Sequence, residues 1–115
     1  MINVIRKNEI LEEIRKIEMG REEAELYIKK RLLEENDWYE ELRIILGKIR
    51  NDYEICYGDV ELTNLTEEYH SMLMSAEREC SGTIDDIHEA QRKMNAKCES
   101  DIEELKQEMQ RLEMM

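Results

Sequence analysis

Proline and phenylalanine are absent from this 115-residue chain, glycine occurs four times, cysteine three times and tryptophan once. Without proline no position forces a helix to kink or stop. The scarcity of glycine turns and of aromatic residues excludes a fold built from many short strands. Three cysteines, an odd number at wide spacing, form neither a disulfide framework nor a zinc site, whose ligands sit two to four residues apart. They fit a reducing compartment. No apolar run approaches the roughly 18 residues of a membrane span. The start, Met1-Ile2-Asn3-Val4-Ile5-Arg6-Lys7, lacks the apolar centre of a signal peptide. The expected location is therefore the cytoplasm, with no membrane insertion.

What the chain has in abundance is charge. Charged residues make up 40% of it and the net charge is -12, a composition typical of long amphipathic helices and coiled coils. Such a balance opposes binding to nucleic acid, where Lys and Arg must displace condensed counterions. The excess is uneven, with 11 basic and 14 acidic residues up to Tyr57 and 6 basic and 15 acidic after it. A basic or mixed-charge partner would favour the second part.

Apolar residues recur in steps of three and four, the signature of one helical face. The first stripe is Ile10, Ile14, Ile17, Ala24, Ile28, Leu32, Tyr39, Leu42, Leu46, Ile49, Tyr53 and Cys56. Arg21 and Glu35 occupy stripe positions where an apolar residue is due. A second edge, Leu11, Leu33, Trp38 and Ile45, makes the stripe wider than a two-per-heptad seam. Asp37 followed by Glu40 could start a new helix as a capping box, so a break near 36–37 giving three helices is the alternative. Continuity is favoured because the stripe keeps its phase from Leu32 to Tyr39.

The pattern stops at Tyr57-Gly58-Asp59, where Gly can cap a helix and Asp can turn the chain. Asn64 with Glu67, or Thr63, then offers a new cap. From Leu65 the second stripe runs through Tyr69, Leu73, Ala76, Cys80, Ile84, Ile87, Met94, Cys98, Ile102, Leu105, Met109 and Leu112. Its one soft spot is Cys80-Ser81-Gly82-Thr83, a run of weak helix formers. Residues 1–115 are thus expected to form one all-α domain, an antiparallel, coiled-coil-like hairpin of two long helices with its turn near 57–64.

A turn centred there makes positions summing to about 121 face each other. Trp38 and Tyr39 would then oppose Gly82 and Thr83, Gly47 would oppose Met74, and Cys80 and Cys98 would face the regions of Glu41 and Glu23. A lone pair of helices leaves one flank of each wide stripe uncovered, so a partner helix or a second copy should cover it.

No motif for chemistry assembles. Glu67-x-x-His70 and Asp85-x-x-His88 have the carboxylate-to-His spacing of di-metal bundles, but both lie on one helix about 27 Å apart. Lys29-Lys30-Arg31 sits among acids and reads as a solvated face of i to i+4 pairs. No nucleophile–base constellation and no Gly-rich phosphate loop can be built. The expectation is a non-enzyme with no metal or cofactor. The sole Trp beside a Tyr marks an anchor or a core position, and Met72 and Met74 suit an adaptable surface. The expected partner-binding residues are Trp38, Tyr39, Leu42, Ile45, Leu46, Tyr69, Met72 and Leu73.

The second half, Leu65-Thr66-Glu67-Glu68-Tyr69-His70-Ser71-Met72-Leu73 through Ile84-Asp85-Asp86-Ile87-His88, together with the Ile10 to Ile28 opening, resembles the small helical-hairpin accessory partners of LXG toxins in Gram-positive type VII secretion. The resemblance implies a chaperone that packs beside the helical N-terminal domain of its effector and promotes delivery to the secretion machine, with co-secretion as one outcome. The related WXG-type proteins carry Trp-x-Gly in the turn and a Tyr-x-x-x-Asp/Glu signal after the second helix. Here the turn has Tyr57-Gly58, and the only matching signal spacing is Tyr57 to Glu61. That departure fits a targeting factor better than a signal bearer. The alternative is a homodimeric four-helix bundle with a structural role and no part in secretion.

Overall fold

The computed structural model describes residues 2–55 and 58–115, the side chain of Tyr53 excepted. Two helices account for nearly all of them: α1, Ile2–Ile55, and α2, Val60–Glu113. No strand occurs among the described residues, and the chain is the all-α antiparallel hairpin that its periodicity predicts. Helix α1 passes through Asn36 and Asp37 without a break, because the stripe through Leu32, Glu35 and Tyr39 holds one phase. Helix α2 likewise runs through Cys80-Ser81-Gly82-Thr83. There the Thr83 hydroxyl donates to the Glu79 carbonyl at 3.0 Å, so the side chain that competes with helix elsewhere bonds back onto its own turn.

The connection is shorter than the sequence suggests. Helix α2 starts at Val60, which puts Thr63, Asn64 and Glu67 inside it rather than at its cap. Asp59 is the capping residue: its Oδ1 accepts from the Leu62 amide at 3.1 Å and its carbonyl from the Thr63 amide at 2.9 Å. The side chain thereby satisfies one of the four amides that a helix start leaves unpaired, and the carbonyl accepts the first bond of the helix itself. Gly58 just before it has φ 96°, a left-handed conformation in which a side chain would be strained. The expectations for Cys56 and for Tyr57 as a turn or signal residue lie outside the described residues. Glu61 stands in the first turn of α2.

Moving the turn moves the register. Helix ends at Ile55 and Val60 make facing positions sum to about 115 rather than 121, and the observed partners agree. Glu35 with Cys80 sums to 115, and Tyr39 with Glu77 and Arg21 with Asn95 each sum to 116. Cys80 therefore meets Glu35, not Glu41. The expected large-against-small pairing at Gly82 and Gly47 is absent, since a Cβ built at either glycine would meet nothing within 4 Å.

The helices form two compact units, Met1–Lys29 with His88–Met115, and Lys30–Ile87. In the first, Ile10, Ile14 and Ile102 are buried, with Ile17, Leu105, Met109 and Leu112 packed against them. Arg6 grips Glu108 across the hairpin through two bonds of 2.8 and 2.9 Å, the forked geometry that fixes position as well as charge. That contact holds the Glu108 carboxyl below its ordinary range. Arg21, at its stripe position, donates from Nε to Asn95 Oδ1 at 2.9 Å. A polar pair at a seam position selects one register at some cost in stability. In the second unit the buried side chains are Leu42, Leu46, Ile49 and Cys80. Glu35 is its polar seam residue, its carboxylate accepting from Arg31 at 3.1 Å and from the Cys80 thiol at 3.5 Å.

Candidate docking face of the 30–87 unit

Each helix of this unit carries an apolar stripe beside its seam. On α1, Trp38 and Ile45 stand seven residues apart, close to two full turns. On α2, Leu62, Leu65, Tyr69, Met72 and Ala76 follow steps of three and four residues. One groove is lined by Glu35, Trp38, Ala76, Glu79, Cys80 and Thr83, so the Trp38 stripe and the Ala76 stripe lie on the same side of the hairpin. Trp38 is 48%, Tyr69 54%, Met72 59% and Leu65 62% exposed. A large aromatic ring, a phenol, a thioether and a leucine facing water on one surface make the kind of patch that marks an interaction site.

The other side of the unit is polar. Arg43, Leu46, Gly47, Arg50, His70, Met74 and Glu77 line a groove there. Tyr39 belongs to that side, its hydroxyl donating to Glu77 Oε1 at 3.3 Å and its ring lying 5.9 Å from the Arg43 guanidinium. Such a cation over an aromatic face is mildly attractive.

Of the residues expected to bind a partner, the structure brings Trp38, Ile45, Tyr69 and Met72 to one face. Leu42 and Leu46 are 1% and 8% exposed and fill the seam between the chain's own helices. Leu73 is half-buried in the same seam, and Tyr39 is on the polar side. Leu62 and Leu65 belong to the face as well. Leu62 escaped the sequence reading because it precedes the expected helix start, and Leu65 was assigned to the core stripe.

The one thiol lining the groove is Cys80. Cys80, 4% exposed, has its thiol pKa pushed up by burial first and then by the neighbouring Glu35 carboxylate, the setting of an inert thiol. Its Sγ donates to the Glu35 carbonyl at 3.3 Å. Among the described residues no three His, Cys, Asp or Glu side chains converge as a metal site would need, and no helix is long and apolar enough to cross a membrane. Arg31 of the basic triplet pairs with Glu34 at 3.7 Å and with Glu35.

The 2–29 and 88–115 segments present a different surface. Their exposed large apolar residues on α1 include Leu11, Met19 and Leu26, while among the described residues the 88–113 part of α2 contributes none and the two residues after it, Met114 and Met115, are exposed. An apolar face shared by both helices is a property of the 30–87 unit alone. Compared with known proteins, the chain matches no family model, no curated protein and no solved structure.

Proposed function

We propose that this chain is a non-enzymatic binding protein whose 30–87 unit docks an amphipathic helical segment of another protein. In its specific form, following the resemblance of its second half to LXG-toxin partners, it is a targeting chaperone. It works in the cytoplasm by covering the helical N-terminal domain of a type VII effector and accompanies that domain to the secretion machine. The observation that carries this reading is the face formed by Trp38 and Ile45 with Leu62, Leu65, Tyr69 and Met72. Aromatic anchors and adaptable thioethers concentrated on one surface are the ingredients of a binding hot spot. A helix laid along the groove would bury that surface and complete the bundle that two helices leave open.

Co-expression with an LXG-domain protein, sought among the products of neighbouring genes, tests the proposal. The expected result is a stoichiometric complex that survives gel filtration and melts above the free chain, because a partner that binds only the folded form stabilises it. Joint Trp38→Ala and Met72→Asp substitution should weaken the complex at least tenfold. Failure of every neighbouring LXG domain to form a complex overturns the chaperone role. A tight homodimer held through Trp38 would instead favour the structural four-helix bundle.

A further inference from the structure

The docking face has a rim, and the rim is acidic. On α1 the stripe outside the seam reads Glu34, Trp38, Glu41, Ile45, Lys48, Asp52, and on α2 it reads Glu61, Leu65, Glu68, Met72, Ser75, Glu79, both in alternating steps of three and four residues. Acidic side chains therefore border the apolar ones along each edge of the same surface, with Lys48 and Ser75 as the exceptions. Glu41, Asp52, Glu61, Glu68 and Glu79 are all exposed, and no ion pair engages them among the described residues. Lys48 is the one cation on these two stripes. Across the hairpin, on the polar side, Arg43 and Arg50 stand together in a groove with His70. The docking side thus carries the acids without an ion pair among the described residues, while the other side holds two arginines beside Glu77.

Unpaired carboxylates bordering an apolar surface attract a partner with cations at matching places and repel one with anions. A second copy of this chain applied by the same face would bring rim to rim, because a two-fold interface sets each patch against itself. Five unpaired acids on each side would then meet their equivalents, which opposes self-pairing through this surface. From Glu34 to Asp52 the stripe covers about 27 Å at 1.5 Å per residue, room for a helix of roughly 18 residues.

We propose that the occupant of this face is a basic amphipathic helix: an apolar stripe seated between Trp38 and Ile45 on one side and Leu65, Tyr69 and Met72 on the other, with Lys or Arg on both flanks paired to Glu41, Asp52, Glu61, Glu68 and Glu79. The inference rests on the docking reading above and adds the chemistry of the partner. It requires nothing about which protein supplies that helix.

The test uses the full chain and two synthetic helical peptides of 21 residues that share one Leu/Ile stripe, flanked by Lys and Arg in one peptide and by Glu in the other. Neither contains Trp, so the emission of Trp38, the sole tryptophan, reports contact at the face, and calorimetry gives the affinity. The basic peptide should bind at least tenfold tighter than the acidic one, shift Trp38 emission to the blue, and lose its advantage as NaCl rises from 0.05 to 0.5 M. Joint Glu41→Lys and Glu68→Lys substitution should reverse the preference, while the same charge change at Glu12 and Glu103, both exposed in the other unit, should leave it intact. Met72→Asp should abolish binding with the helical circular dichroism unchanged. Equal affinity for the two peptides overturns the charge assignment while leaving the LXG-complex experiment to decide the docking role. Basic-peptide binding that neither moves Trp38 emission nor responds to Met72→Asp overturns the placement on this face. A concentration-dependent dimer that itself shifts Trp38 emission already at about 0.1 M NaCl, where the rims should repel, names a second copy as the occupant and also overturns it.

Discussion

Trp38 and Leu42 are four residues apart on α1 and serve opposite ends. Leu42, 1% exposed, points into the seam, where truncating a buried aliphatic side chain loses both transfer free energy and packing. Trp38 flanks the seam with about half its surface in water. Leu42→Ala should therefore cost about 2–5 kcal/mol, read as a lower urea midpoint at unchanged slope. Trp38→Ala should stay within about 1 kcal/mol of the parent and yet remove partner binding. If Trp38→Ala destabilises as much as Leu42→Ala, the ring is a core residue and not an anchor. The same contrast separates the polar seam residues from the rim. Arg21 and Glu35 are committed to Asn95 and to Arg31 with Cys80, whereas Glu41 and Glu68 have no such commitment and are available to a ligand.

The elements are set by repetition and the turn by competition among near-equal caps. Asp59, Thr63 and Asn64 all accept amide bonds at a helix start. Asp59 wins because it stands next to Gly58, whose φ of 96° reverses the chain at once, and because starting at Val60 adds four hydrogen-bonded residues that a later start would leave open. Asp59→Ala should cost about 0.5–2 kcal/mol, a fall in melting temperature of several degrees for a domain of this size. Asn64→Ala, inside an exposed helical turn, should be neutral or slightly stabilising, since Ala is the better helix former. The reverse ranking in thermal melts would place the start of α2 at Asn64 after all. This competition also explains how far the sequence could be read. Two helices and their stripes were legible because the three-four period persists for some fifteen turns per chain half. The facing register was not, because an error of three residues in the turn centre shifts every opposing pair by six, and Trp38 moves from Gly82 to the neighbourhood of Ala76 and Glu79. The docking face was half legible. Trp38 and Ile45 sit on the stripe's edge and Met72 beside the second stripe, where exposure can be anticipated, but Tyr69 shares its stripe with Leu73, and Leu42 and Leu46 differ from Trp38 and Ile45 by only one turn position. Which edge faces the second helix follows from the register.

For the whole molecule the decisive balance is between an exposed apolar face and a net charge of -12. Apolar surface of this kind drives association without regard to direction, and charge of one sign opposes it over a distance set by salt. At about 0.1 M ionic strength the screening length is about 10 Å, enough for acidic rims on two copies to repel, and at about 1 M it is about 3 Å. The free chain should therefore sediment as a monomer at about 0.1 M NaCl and associate at about 1 M, with Trp38 emission moving to the blue as it does so. Glu41→Lys with Glu68→Lys should bring that association to lower salt, because the rim then carries both signs and can pair with itself. Met72→Asp should suppress it at every salt concentration. A dimer already complete at about 0.1 M would mean that apolar burial outweighs the repulsion of the rims, and the acidic border would then have no part in choosing a partner.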